Sequence, residues 1–177
     1  MKRPFSTTRR INATRYVRIE ESASLVYRSL ECQAKVPGKQ NWLQQVLEDQ
    51  LMTRRVLDVG QCNPDHAAIS RLLNEHFQVE IVRAHAESDT IAALQSEDFD
   101  LVLINRKLDR DYSEGLSILE TIKSDSAMSH VAVMLVSNFP EAQESAVAAG
   151  AVYGFGKAEL GNPDVVERLA AILGSAE

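Results

Sequence analysis

The sequence has few residues that act alone. Two cysteines, Cys32 and Cys62, form no CxxC pair, which fits free thiols in a reducing compartment and excludes a disulfide scaffold. Four histidines (His66, His76, His85, His130) show no ligand spacing with one another or with cysteine, so no zinc site is expected. No apolar run approaches the roughly 20 residues that span a bilayer, and no secretory signal precedes the cysteines; a cytoplasmic location without membrane attachment is expected. Basic charge is scarce beyond the first 51 residues. Residues 1–51 hold 9 Lys/Arg against 5 Asp/Glu (+4), and residues 52–177 hold 10 against 20 (−10). The acidic part speaks against nucleic-acid binding, which needs a basic footprint.

From Arg55 onward, short apolar runs alternate with helical periodicity, the signature of a parallel α/β sheet. Strands are expected at Val56–Gly60, Val79–Val82, Leu101–Asn105, Val131–Val136 and Ala151–Phe155. Asn63-Pro64-Asp65 marks a helix start, with Asn63 as cap and Ile69, Leu72, Leu73 and Phe77 as the apolar stripe. Ser88 or Asp89 is expected to cap a second helix, with Ile91 and Leu94 inward. The third helix follows a polar loop (106–113) and turns Leu116, Ile118, Leu119 and Ile122 inward. Pro140 opens a fourth helix that Gly150 stops, and Asn162-Pro163-Asp164 opens a fifth that ends near Leu173. Five strands and five helices over this length fit a doubly wound, flavodoxin-like sheet of order 2-1-3-4-5.

Residues 1–51 form a separate N-terminal extension. Residues 1–15 carry several basic side chains and no acidic one, as targeting peptides and basic arms do. Amphipathic helices fit Val17–Ala34 and Trp42–Leu51. Met52 directly precedes the first strand and is an alternative start of translation.

The run Phe99-Asp-Leu-Val-Leu-Ile-Asn105 reads as a strand buried on both faces that ends on a polar residue. Such a residue sits at the mouth of an open α/β sheet, where these folds place their chemistry. With Ser137 and Lys157 closing two later strands, residues 55–173 resemble the receiver domain of two-component response regulators. The resemblance implies a phosphoacceptor aspartate where this chain has Asn105. It implies an acidic, magnesium-binding pair at Gln61 and Cys62, or at Gly60 and Gln61, none of them a carboxylate. Ser137 and Lys157 match the hydroxyl and lysine that contact the phosphoryl group. Ala158 stands where the family has proline, and the switch aromatic falls on Gly154, with Tyr153 and Phe155 shifted beside it.

An amide has no anionic oxygen to attack a phosphoryl donor, and magnesium needs hard oxygen anions. The expectation is therefore a pseudo-receiver, not an enzyme, with magnesium binding lost or weak. Lys157, without its usual counter-charge, would turn to Asp109 or Asp111 in the long loop after Asn105. The resemblance implies protein partners, a histidine kinase or a downstream signalling protein. It also implies a homodimer through the face of the fourth helix, fifth strand and fifth helix, where Ser145–Ala151 permits close approach. Two rival readings stand beside it: phosphorylation at Asp109 or Asp111, and an S-adenosylmethionine-dependent methyltransferase suggested by Val56-Leu57-Asp58-Val59-Gly60.

Overall fold

A computed structural model describes residues 53–174; the expectations for residues 1–51 and for Met52 lie outside them. The elements follow in strict alternation: β1 (Arg54–Val59), α1 (Asn63–His76), β2 (Val79–Ala84), α2 (Glu87–Ser96), β3 (Leu101–Asn105), α3 (Gly115–Ser124), β4 (Ala132–Val136), α4 (Pro140–Ala148), β5 (Val152–Phe155) and α5 (Pro163–Leu173). All strand pairs are parallel, and the sheet order is β2-β1-β3-β4-β5. This is the topology expected from the alternating pattern. No helix among the described residues is long and apolar enough to cross a membrane.

The two-residue period of a strand divides the core between the two faces of the sheet. Leu57, Val59, Val102, Ile104, Val133 and Leu135 pack with Ile118, Leu119 and Ile122 of α3 and Ala146 of α4. Val56, Leu101, Leu103, Met134 and Val136 pack on the other side with Ile69, Leu72 and Leu73 of α1 and Val165, Leu169 and Leu173 of α5. Asp58 lies two residues after Val56 and so faces the α1 side. Leu116, expected inward, is half-buried at the rim of α3.

Helix ends differ from the sequence reading in two places. Cys62, not Asn63, is the extended residue before α1, and it makes no side-chain cap bond. Asn63 is helical, and its Oδ1 accepts from Arg83 of β2 at 3.0 Å. Helix α2 begins after Ala86, earlier than Ser88. Asp89 serves it from inside the first turn, accepting from the His85 and Ala86 amides at 2.7 Å each, the carboxylate half of a capping box. At α5 the sequence signal holds: Asn162 Oδ1 accepts from Asp164 N at 3.0 Å. Gly150 follows α4 with φ +95°, the left-handed stop expected of it.

Strand β5 carries an irregularity. Met134 pairs with Val152 and Val136 with Phe155, so β5 uses one residue more than β4. The extra residue creates a bulge at Tyr153-Gly154. Buried Gln143 of α4 fills it: Nε2 donates to the Leu135 and Ser137 carbonyls, and Oε1 accepts from Gly154 N, all at 3.0 Å. A Cβ at residue 154 would lie 2.0 Å from the Leu135 carbonyl oxygen. Glycine is thus a steric requirement there, and Gly154 cannot carry the aromatic that the resemblance assigns to this position.

Replacing Gln143 with leucine, similar in volume but without the amide, strands one N–H and two carbonyl groups in the core. The expected loss is about 3 kcal/mol, read as a lower urea midpoint at unchanged slope. A midpoint equal to that of the native chain would show that the plug is dispensable.

Candidate functional site

The carboxyl ends of β1, β3, β4 and β5 converge on one mouth of the sheet. Asn105 closes β3 and is buried. Its Nδ2 donates to the Gly60 carbonyl at 2.9 Å, and the same carbonyl accepts from the Asp109 amide at 3.1 Å. The Gly60 N–H goes to Ala84 O of β2 at 2.9 Å. One residue after β1, through its N–H and its carbonyl, therefore ties together the ends of β2, β1 and β3.

Gly60 has φ +69°, and a Cβ there would stand 2.5 Å from Leu108 Cγ. Leu108 is wholly buried, so position 60 accommodates no side chain without moving the core. Gln61 is buried, and neither atom of its side-chain amide has a partner among the described residues. Its carbonyl accepts from Arg83 at 2.9 Å. Cys62, half-buried, donates its thiol to Asp65 Oδ2 at 3.0 Å. None of the three offers an anionic oxygen toward Asn105.

Lys157 does not turn to the long loop. Its Nζ lies 2.5 Å from Asp65 Oδ2, the carboxylate of the first turn of α1. The turn that carries the lysine explains the direction. Lys157–Glu159 is a 3-10 turn, tied by Ala158 N to Asn138 Oδ1 at 3.1 Å and by Gly156 N to Glu159 Oε2 at 2.6 Å. It replaces the proline-bearing turn and leads the lysine back toward α1. Asp111 is exposed and accepts from Ser113 N and Oγ at 3.0 and 2.7 Å. Asp109 Oδ1 faces His85 Nδ1 across 3.7 Å. Asp65, which the sequence marks only as part of a helix start, is the counter-ion.

Burial raises the Asp65 carboxyl, but the Lys157 and Cys62 hydrogen bonds and the lysine charge outweigh it, leaving the group below the usual carboxylate range. Its stabilising contribution is present above the ordinary carboxylate pKa and is lost as pH falls through the lowered value. Both partners are about 30% exposed, so solvent screening holds the pair to no more than about 1 kcal/mol.

Ser137 follows β4 and is buried; its N–H pairs with Phe155 O at 3.0 Å, and its Oγ accepts from Phe139 N at 3.1 Å. Its hydroxyl hydrogen remains available to a ligand. Asn105, Ser137 and Lys157 line one cavity of about 200 Å³, with Arg106, Lys107 and Phe139 on its rim. The three positions singled out from the sequence are thus brought together, while Gly60, Gln61 and Cys62 do not line the cavity. The donor set does not fit magnesium: Asp65 already serves a lysine and a thiol, Asp109 Oδ1 faces His85, and Asn105 directs an N–H at a carbonyl. Among the described residues no three His, Cys, Asp or Glu side chains are arranged to hold a metal ion.

A second titratable pair lies beneath the mouth on the α1 side. Asp58 has no exposed side-chain surface, and its Oδ2 stands 2.5 Å from His66 Nδ1; Oδ1 has no partner among the described residues. Burial pushes its pKa up, against the His66 hydrogen bond and the charges of His66, Arg83 and His85. An acidic residue between buried Leu57 and Val59, eight before a histidine in the next helix, was the available sequence signal.

Replacing His66 with alanine leaves that carboxylate buried and unpaired. The expected cost at neutral pH is about 3 kcal/mol. In the variant Asp58 binds its proton more tightly folded than unfolded, so stability falls as pH rises toward the raised value and recovers on acidification. Urea midpoints from pH 4 to 8 test this; a deficit independent of pH would rule out the charge as its source.

No family model matches the chain, and no curated protein matches it. Solved structures do. The signal receiver domain of a DNA-binding response regulator from Colwellia psychrerythraea 34H shares 21% identity, covering 68% of this chain and 98% of that one, with a TM-score of 0.58. A CheY-like response regulator receiver domain protein from Methanospirillum hungatei JF-1 shares 25% identity, covering 68% and 94%, with a TM-score of 0.55. Chemotaxis response regulator CheY4 of Vibrio cholerae shares 16% identity, covering 68% and 98%, with a TM-score of 0.54. The arrangement of strands and helices over residues 53–174 is that of the response regulator receiver, a CheY-like, flavodoxin-like fold.

Proposed function

We propose that this domain is an atypical receiver in, or derived from, phosphorelay signalling, and that it acts by protein–protein contact without a phosphoryl group at residue 105. The observation that carries the reading is the bond from Asn105 Nδ2 to the Gly60 carbonyl. Forming an acyl phosphate requires a carboxylate oxygen to attack phosphorus. Asn105 has an amide there, and its nitrogen is committed as a donor. A carboxylate in the same rotamer would set oxygen against oxygen at this distance, with a buried acceptor on each side.

The surroundings support the same reading. Gly60 has no room for a carboxylate, Lys157 is held by Asp65, and Gly154 has no room for a switch aromatic. The domain then needs no magnesium and has no catalytic role. Its partner would be a histidine kinase or a downstream signalling protein, met on the face of α4, β5 and α5. There Val147, Val152 and Tyr153 are exposed, and Arg168 stacks 5.6 Å from the Tyr153 ring centroid. The same face would serve a homodimer. Neither rival reading gains an observation. Asp109 Oδ1 faces His85 Nδ1 across 3.7 Å, Asp111 stands in the exposed loop with its Oδ1 engaged by Ser113, and buried Leu108 occupies the space over Gly60 that a methyl-donor cofactor would need.

Incubation of the full chain with acetyl phosphate and magnesium, followed by intact mass, tests this directly. No adduct is expected, and amide NMR spectra should stay unchanged with magnesium and beryllofluoride. Asn105→Asp is expected to lose about 2 kcal/mol of stability and to remain unmodified. A phosphorylated native chain, or a stabilised and readily phosphorylated Asn105→Asp, would defeat the reading.

A further inference from the structure

The cavity at Asn105 has a neighbour. Arg106 and Phe139 line both it and a groove of about 340 Å³ between α3 and α4. The Arg106 guanidinium sits 4.7 Å from the Phe139 ring centroid, and Phe139 remains 50% exposed. The pair forms a stacked sill between two hollows, and the hollows differ in charge. The first is lined by Arg106, Lys107 and Lys157 and by no carboxylate. The second offers Leu116, Leu135 and Ala142 as an apolar floor, with Glu114 and Glu141 at its edge.

The cations are not equally engaged. Lys157 pairs with Asp65, and Lys107 with Glu114 at 3.0 Å, an exposed pair of little strength. Arg106 has no carboxylate partner among the described residues. Its backbone is fixed by bonds from its N–H to Val136 O at 3.2 Å and from Gly115 N to its carbonyl at 2.8 Å. A planar guanidinium held on an aromatic face keeps its donor edge open for bidentate contact with an oxyanion. Ser137 adds a hydroxyl donor on the wall of the same hollow.

We propose that the paired hollows bind a phosphomonoester without reacting with it. The phosphate sits in the first hollow on Arg106, Lys107 and Ser137. The organic body lies over Phe139 and Leu116, with hydroxyl or amino groups donating to Glu114 and Glu141. Those two carboxylates repel a second phosphate, so the site selects a single phosphate on an uncharged, donor-bearing body. Divalent metal takes no part. The inference rests on the reading that Asn105 accepts no phosphoryl group.

Calorimetric titration of the full 177-residue chain in EDTA, with 4-aminophenyl phosphate, glucose 6-phosphate and adenosine 5′-monophosphate, tests it. At least one is expected to bind with a submillimolar Kd, at least about tenfold tighter than inorganic phosphate. Arg106→Gln should weaken binding at least about tenfold, and Phe139→Ala should reduce the preference over inorganic phosphate. If Arg106→Gln fails to fold, Arg106→Lys retains charge without the fork and should still lose affinity. Three results would overturn the inference: no saturable binding by any of the three, inorganic phosphate matching the best of them, or unchanged affinity in the folded Arg106 variant. Intact mass separates the two readings. Absent binding with an unmodified chain ends this inference alone, whereas a covalent phosphoryl adduct ends the non-phosphorylated reading with it.

Discussion

The carbonyl of Gly60 is the point on which the sheet mouth is organised. It follows β1 directly and takes two donors, the Asn105 amide and the Asp109 backbone. A carbonyl buried at the end of a parallel strand must find donors or carry the cost of lost hydration. Here the donors come from the end of β3 and from the loop beyond it, so the loop's course is set by the same group. Leu108 is drawn over Gly60 by that course and fills the space a side chain at residue 60 would need. The residue identities at 60, 105 and 108 are therefore one constraint expressed three times. An amide at residue 105 meets it, and a carboxylate does not.

Charge at the mouth is rearranged in consequence. Lys157 finds its partner in Asp65, at the start of α1, and the thiol of Cys62 joins the same carboxylate oxygen. The ion pair links the turn after β5 to α1. Arg106, Lys107 and Phe139 line the cavity beside it. The mouth, where the sequence offers no carboxylate at residues 60–62 or 105, is a hollow lined by Arg106, Lys107 and Lys157. Buried Asp58 and half-buried His66 form a separate pair below it, held by a shared hydrogen bond.

The sheet and its order were legible because they depend on periodicity, which each segment carries within itself. The buried stripe Ile69, Leu72, Leu73, the stop at Gly150 and the cap at Asn162 all lie within a few residues of what they determine. Asn105, Ser137 and Lys157 were legible as strand-end residues, and topology brings strand ends together. The partner of Lys157 was not, because Asp65 lies 92 residues away and its direction depends on a turn rebuilt around Asn138 and Glu159. The α2 boundary was missed because Asp89 caps from within the first turn, where a sequence scan takes the capping residue itself for the start. Gln143 gave no signal at all: a glutamine in a helix is ordinarily surface, and only the bulge in β5 accounts for its burial.

That bulge binds two positions into a single evolutionary character. With Gly154 in place, glutamine at 143 completes three hydrogen bonds; with any larger residue at 154, the same glutamine would lose its acceptor contact and the strand would have to move off the Leu135 carbonyl. Neither site can change while the other stays as it is without passing through a less stable chain. The coupling lies in main-chain geometry.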